Sequence, residues 1–318
     1  MIGNGTRIAV VAVGGNALIL GPGKESIRDQ AAAAEITCRY VADIVEQGWT
    51  VVLTHGNGPQ VGFILRRSGI AKGQVPEVPV DYADADTQGA IGYMFQRGLY
   101  NELQRRGVSR NVVALVTQVR VAPDDPAFQR PTKPIGAHMD EDTAKHLAQQ
   151  LGWTVAEDAG RGWRRVIASP EPKEIVELDA IRQLVTQGFV LIACGGGGIP
   201  VMRDERGDLR GLEAVIDKDL ASSLLAQELG AQLFVVSTSV ERVAIHFNTP
   251  QQKWLDEISL AQLEDYAAQG HFPAGSMGPK IEAIRRYLTG APQGRAIITD
   301  PPNLGRALAG ATGTRVHR

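Results

Sequence analysis

Short β-branched runs alternate with amphipathic helical stretches along most of this chain, and that alternation constrains its fold more than any other feature. Residues 7–13 and 50–54 read as strands. Between them Ile36, Tyr40, Val41, Ile44 and Val45 recur at the 3.6-residue spacing of a helix with one buried face. Ser26, three residues ahead of Asp29, fits the capping box that would start this helix. The order then repeats, with helix over 85–106, strand over 112–116, helix over 175–187, strand over 190–193, helix over 218–228 and strand over 233–236. Strands joined through helices pair in parallel, and the helices cover both faces of the sheet. The expected fold is therefore α/β, an open and mainly parallel sheet sandwiched by helices. At 318 residues with 43% hydrophobic residues, the chain can bury a large core in a single domain over 1–318.

The rhythm breaks between residues 119 and 172, where proline, charge and glycine replace it (PDDPAFQRPTKPIG, EDAGRGWRRV, SPEPKE). So long an interruption in a compact domain reads as a lid, and the expectation is a small subdomain protruding over the active-site edge.

Glycine marks where chemistry belongs. Gly14-Gly15-Asn16, Gly56-Asn57-Gly58, Gly195 to Gly198, and Gly275-Ser276-Met277-Gly278 are all read as following strands. Loops at the carboxyl ends of parallel strands line the ligand crevice, and glycines let backbone N–H groups approach phosphate or carboxylate oxygens. One such cluster is an ordinary tight turn; four together point to an anion site. Gly23-Lys24 lacks the rest of a P-loop and no GxGxxG opens a helix, which argues against P-loop kinases and Rossmann dehydrogenases. Phosphoryl transfer needs fixed positive charge around the transferring oxygens. Lys133 in PTKPIG, Lys218 in AVIDKD and Lys280 in GSMGPK stand where they would supply it. Asp217 and Asp219 flank Lys218 and would hold its ammonium; a surface charge cluster at a helix start is the alternative.

The 33 Lys and Arg against 35 Asp and Glu give a formal net charge of −2, which leaves no basic footprint for nucleic acid or an anionic membrane. Cys38 and Cys194 sit far apart in sequence with no CxxC or His-rich spacing, so neither a disulfide framework nor a zinc site is indicated, and a reducing, cytoplasmic compartment fits. The opening apolar run is broken by glycine and reads as a first strand, not a signal peptide. No stretch approaches the roughly 18 apolar residues that span a bilayer.

Several segments carry a resemblance in addition: VGGNAL (13–18), THGNGPQVG (54–62), TQGAIGYM (87–94), DPAFQRPTKPIG (125–136), EDAGRGWRRV (157–166), GGGGIPV (195–201), EAVIDKDLAS (213–222) and GHFPAGSMGPKIEA (270–283). In these segments and in their order, the chain resembles carbamate kinases of the amino-acid kinase superfamily. The resemblance implies a homodimer and the reversible reaction ATP + carbamate = ADP + carbamoyl phosphate, run toward ATP in nitrogen or arginine catabolism, with Mg2+ carried by the nucleotide. It places Gly14, Gly15, Asn16, Gly56, Asn57 and Gly58 around the acceptor and the transferred group. Lys218 and Lys280 would contact phosphates, Asp219 would orient them, and Lys133 would reach in from the subdomain. Gly196, Gly197, Asp217, Ser237, Thr238, Val240 and Met277 are expected on the nucleotide side.

Three departures from the family pattern bear on the acceptor. Asp86 stands where an apolar residue is usual, Ala137-His138 replaces a Pro-aromatic pair, and the nucleotide strand reads Ser237-Thr238-Ser239-Val240-Glu241. Asp84 and Asp86 are read as capping a helix that begins there, in preference to facing the acceptor. His55 is assigned to loop packing or binding, because transfer from carbamoyl phosphate needs no proton removed. Arg161, Arg164 and Arg165 are a phosphate clamp or a solvated face. Another small carboxylate or carbamate-like acceptor, or an anion-binding protein without catalysis, remain as alternatives.

Overall fold

The computed structural model describes residues 6–21, 23–158, 160, 162–273 and 276–318, and of Asn16 and Ala137 the backbone alone. Eight strands form one sheet in the order Glu257–Ser259, Thr314–His317, Arg295–Thr299, Leu233–Ser237, Ile8–Val13, Thr50–His55, Val190–Ile192, Val112–Ala114. Every pairing is parallel except that of Arg295–Thr299 with Thr314–His317. The helices, in chain order, are α1 (Ile27–Glu46), α2 (Gly58–Ile70), α3 (Val80–Arg105), α4 (Glu141–Leu151), α5 (Leu178–Thr186), α6 (Lys218–Glu228), α7 (Leu260–Ala268), α8 (Met277–Gly290) and α9 (Leu304–Leu308).

Ile8–Val13 and Thr50–His55 are buried at every position. That is why Ile8–Val13 reads as an unbroken apolar run, since a parallel strand covered on both faces has no polar side, while in Thr50–His55 the buried Thr54 hydroxyl is paired with that of Ser222. Alternate residues feed opposite layers. Ile8, Val10 and Ala12 pack with Ile181 of α5, Leu225 of α6 and Ile284 of α8. Ala9, Val11 and Val13 pack with Val41 of α1, Phe95 of α3 and Leu304 of α9. The mainly parallel sheet between helical layers is thus observed. Ser26 begins α1 as expected, its Oγ accepting from the Asp29 N–H at 3.2 Å.

Some boundaries move, for local reasons. Helix α3 begins at Val80 and not at residue 85, because Pro79 sits at its N-cap in extended backbone (φ −65°, ψ 163°) and fixes the entry. Asp84 and Asp86 therefore lie in the second turn, past the free N–H groups of the first, so the capping role expected of them is incorrect. Glu174–Ile175 is a strand, and α5 starts only at Leu178. The fourth glycine cluster follows α7 instead of a strand; Ser276 precedes α8, and Gly275 lies outside the described residues.

Within residues 119–172 the chain is not a bare loop. Gln118–Arg120 joins a second sheet with Ile199–Arg203, Leu209–Gly211 and Glu174–Ile175. Lys133–Met139, Trp163–Ile167 and Val155–Glu157 form an antiparallel three-stranded sheet, with α4 in the connection. This unit rests on α2 through two glycines, since a β-carbon on Gly62 would lie 2.4 Å from the Gly136 Cα. A small apolar cluster of Val80, Ile135, Ile167 and Val215 completes the contact. Among the described residues no helix is long and apolar enough to cross a membrane.

Candidate active site

Because the central strands are parallel, the loops that follow them open on one edge, and three of the glycine clusters meet there. A β-carbon on Gly56 would lie 2.6 Å from the Gly15 N, and one on Gly196 would lie 2.2 Å from the Asn57 Nδ2. Neither position has room for a side chain, and Gly196 also takes φ 72°. Gly196, expected on the nucleotide side, thus adjoins the loop expected to hold the acceptor. Gly197 (φ 102°) is pressed onto the Ile216 carbonyl, just ahead of α6.

Asn57 precedes α2 without capping it. Its side chain turns toward α3, where Nδ2 donates to Asp84 Oδ1 at 2.7 Å and to Thr87 Oγ1 at 2.8 Å. The Asn16 side chain lies outside the described residues.

The three lysines picked out by context converge on the start of α6. Lys218 Nζ lies 2.5 Å from Asp219 Oδ1, and Lys280 Nζ lies 3.0 Å from Asp219 Oδ2. One buried carboxylate thus holds two ammonium groups. Lys218 also reaches back to the Gly56-Asn57-Gly58 loop, its Cδ being 3.3 Å from where a Gly56 β-carbon would stand. Lys133 comes from the three-stranded unit to Asp217, with Nζ 2.7 Å from Oδ2. Asp217 Oδ1 meanwhile accepts from the N–H groups of Asp219 and Leu220 and caps α6. The two aspartates beside Lys218 therefore divide the work: Asp219 holds Lys218 and Lys280, and Asp217 holds Lys133.

Electrostatics follow from burial. Burial, with Lys280 as a further opposing charge, lowers the Lys218 ammonium below the ordinary lysine range against the pull of Asp219. Burial alone would raise the Asp219 carboxyl, but Lys218 and Lys280 hold it well below the usual carboxylate range. Asp217 is likewise lowered, Lys133 outweighing burial. His55 is neutral: burial pushes its pKa down to about 4. Its ring stacks on Phe95 with centroids 6.0 Å apart, which is a packing role.

Of the residues expected to meet the nucleotide, Ser237 is the register neighbour of Thr299 on the adjacent strand, and both hydroxyls are buried without a hydrogen-bond partner. Thr238 N–H donates to the Thr299 carbonyl at 2.8 Å. Met277 opens α8 and packs its side chain on the core, and Val240 is half-buried in the loop after Ser237. Arg164 pairs with Asp158 at 3.2 Å, and the Arg165 guanidinium lies 4.9 Å from the Trp153 ring centroid, so both are engaged by the protein. Arg161 lies outside the described residues. His138 Nε2 is 2.9 Å from Asp158.

Asp84, Thr87 and Gln88 were missed as site residues. Gln88 donates to the carbonyls of Gly195 (2.9 Å) and Thr117 (3.0 Å) and accepts from the Thr117 N–H (2.8 Å), tying the third glycine loop to α3. Their i, i+3, i+4 spacing is one helix stripe, visible in the sequence only once the helix is started at Val80. Asp86 lies on the opposite, exposed side of α3 from Asp84. That outer side borders a groove of about 390 Å³ beside the edge strand Val112–Ala114, lined by Tyr93, Arg97 and Tyr100 and separate from the lysine cluster.

Comparison with known proteins agrees with this geometry. The model of the amino acid kinase family matches residues 7–299. The carbamate kinase of Pyrococcus furiosus is 47% identical, over 98% of this chain and 99% of its own length. The carbamate kinase-like protein YahI of Escherichia coli is 48% identical, over 98% of each. The structure of carbamate kinase from Giardia lamblia bound to AMP-PNP superposes with a TM-score of 0.91 at 39% identity, over 98% of this chain and 99% of that one. With glycine loops, paired lysines and full-length similarity in agreement, the chain is a kinase that belongs to the amino acid kinase family, among its carbamate kinases.

Proposed function

We propose that this chain transfers a phosphoryl group reversibly between ATP and carbamate, and that it runs from carbamoyl phosphate and ADP toward ATP in nitrogen or arginine catabolism. The observation that carries the reading is the Lys218–Asp219–Lys280 cluster set where the glycine loops meet. Two lysines on one carboxylate leave one net positive charge, fixed in place before substrate arrives. In the ATP-forming direction a terminal oxygen of ADP bonds to phosphorus as the bond to the carbamate oxygen breaks, and carbamate leaves with the electron pair. No proton need move. The chain's part is to align the two oxygens and neutralise charge on the transferring group.

In this reading Gly14, Gly15, Asn16, Gly56, Asn57 and Gly58 hold the acceptor, Lys218 and Lys280 bind the transferring group, and Lys133 closes over it from a lid formed by part of residues 119–172. Gly196, Gly197, Asp217, Ser237, Thr238, Val240 and Met277 belong to the nucleotide half. Mg2+ arrives as part of the nucleotide substrate. The protein works in the cytoplasm without nucleic acid or membrane.

We also assign a homodimer. Tyr82, Tyr93 and Tyr100 form an exposed stripe along α3, next to exposed Val116 at the open sheet edge, and a second copy would cover it. Light scattering should give twice the chain mass, and Tyr93→Asp should give the monomer.

The activity is tested by incubating the protein with carbamoyl phosphate and ADP and following ATP. Rapid ATP formation supports the reading. Faster turnover of acetyl phosphate would assign another small carboxylate, and no turnover of any acyl phosphate would leave an anion-binding protein.

A further inference from the structure

Asp84 is fully buried, and its Oδ2 has no hydrogen-bond partner. A buried carboxyl oxygen without a partner is unfavourable relative to an apolar side chain of similar size, so its reason must lie in what Oδ1 does. Oδ1 accepts from Asn57 Nδ2 at 2.7 Å. The second Nδ2 hydrogen goes to Thr87 Oγ1. Thr87 Oγ1 spends its own hydrogen on the Asp84 carbonyl at 2.7 Å, so toward Asn57 it can only accept. The polarity of the whole chain of bonds is thereby set. If the Asn57 amide were turned over, its oxygen would face two acceptors. Both Nδ2 hydrogens are consumed inside the protein, and the carbonyl oxygen Oδ1 is the group Asn57 can offer a ligand.

We propose that Asp84 is a positioning residue for acceptor specificity: by fixing the Asn57 amide it presents Oδ1 to the amino group of a carbamoyl ligand and so distinguishes that ligand from acyl phosphates without an N–H donor. This rests on the assignment of Asn57 to the acceptor loop. A site built around such a hydrogen bond rejects the analogue lacking the donor, because the buried oxygen is then left unpaired. Burial holds the Asp84 carboxyl well above its ordinary range, opposed by the Asn57 bond and reinforced by Asp81. A neutral carboxyl that carries its proton on Oδ2 still accepts through Oδ1, so in that form the orientation does not require ionisation.

The test compares carbamoyl phosphate with acetyl phosphate as phosphoryl donors to ADP. Asp84→Val should lower the kcat/KM preference for carbamoyl phosphate at least tenfold, through KM for that substrate, with KM for ADP within twofold. Asp84→Asn, whose amide oxygen can still accept from Nδ2, should keep the preference within threefold. In an Asn57→Ala background Asp84→Val should change the preference no further. An unchanged preference in Asp84→Val, an equal loss in Asp84→Asn, or an equal rise in KM for ADP would overturn the proposal. If Asp84→Val does not fold, Thr87→Val removes the other anchor of Nδ2 and is read the same way. A wild-type protein that makes no ATP from carbamoyl phosphate would instead overturn the assigned activity, whatever the variants do.

Discussion

Lys133 and Asp217 stand 84 residues apart in sequence and meet with Nζ 2.7 Å from Oδ2. The contact ties the three-stranded unit to the first turn of α6, where Lys218 and Asp219 begin the helix. An anion arriving between the loops would meet Lys133 already close to the other two lysines.

Lys133→Ala should therefore lower kcat/KM for carbamoyl phosphate by about tenfold to a hundredfold, the worth of one charge-assisted hydrogen bond. KM for ADP should change less. Steady-state kinetics decide it, and unaltered kcat and KM would remove the unit from the catalytic cycle.

Lys218→Ala and Asp219→Ala should separate activity from stability. Removing Lys218 takes away one fixed donor and should cost roughly 10²–10³-fold in kcat, while Asp219 keeps Lys280 as partner and the fold survives. Removing Asp219 leaves two partly buried ammonium groups facing each other, and should cost about 3–5 kcal/mol of stability as well. Thermal denaturation of both variants checks this. An Asp219→Ala protein as stable as wild type would mean that the cluster is solvated.

The lowered Lys218 sets the alkaline side of the pH profile. Its folded-state pKa lies below the unfolded value, so above the folded pKa the site loses a positive charge that a free lysine would still carry. Activity should fall with rising pH earlier than ordinary lysine titration at about 10.4 would dictate. Lys218→Arg, which keeps its charge, should move that limb upward even if its kcat is low.

His55 should govern part of the acid side of stability. Its pKa is about 4 in the fold against about 6.5 unfolded, so the unfolded state binds the extra proton between those values and stability falls as pH is lowered through that window. At pH 5 the loss is about 2 kcal/mol relative to neutral pH. His55→Gln should flatten this dependence in urea titrations; an equally steep dependence would move it to other groups.

Asp86 shows both what the sequence revealed and where it misled. Strand and helix alternation, the glycine loops and the three lysines could be read directly, because each rests on local pattern or on a residue type the chemistry demands. The start of α3 could not, since Val80 to Asp84 mix apolar and acidic residues, Pro79 has no capping side chain, and the Val80 N–H is met from far along the chain by Glu213. Starting the helix too late made both Asp84 and Asp86 capping residues and hid that Asp84 is buried while Asp86 is exposed. Asp86→Met should accordingly change kcat/KM for carbamoyl phosphate by less than about threefold and stability by no more than about 0.5 kcal/mol. A tenfold gain in activity would put Asp86 in the acceptor pocket after all. Side-chain partnerships such as Asn57 with Asp84 were beyond reading, because they depend on how two helices turn toward each other.

The seam between Gly62 and Gly136 bears on what docking the three-stranded unit costs. Two glycines in contact have no rotamers to freeze, so this part of the docking costs no side-chain entropy. The grip lies instead in the neighbouring cluster of Val80, Ile135, Ile167 and Val215 and in the Lys133–Asp217 ion pair, so any departure of the unit has to expose those four side chains as well as part the two charges.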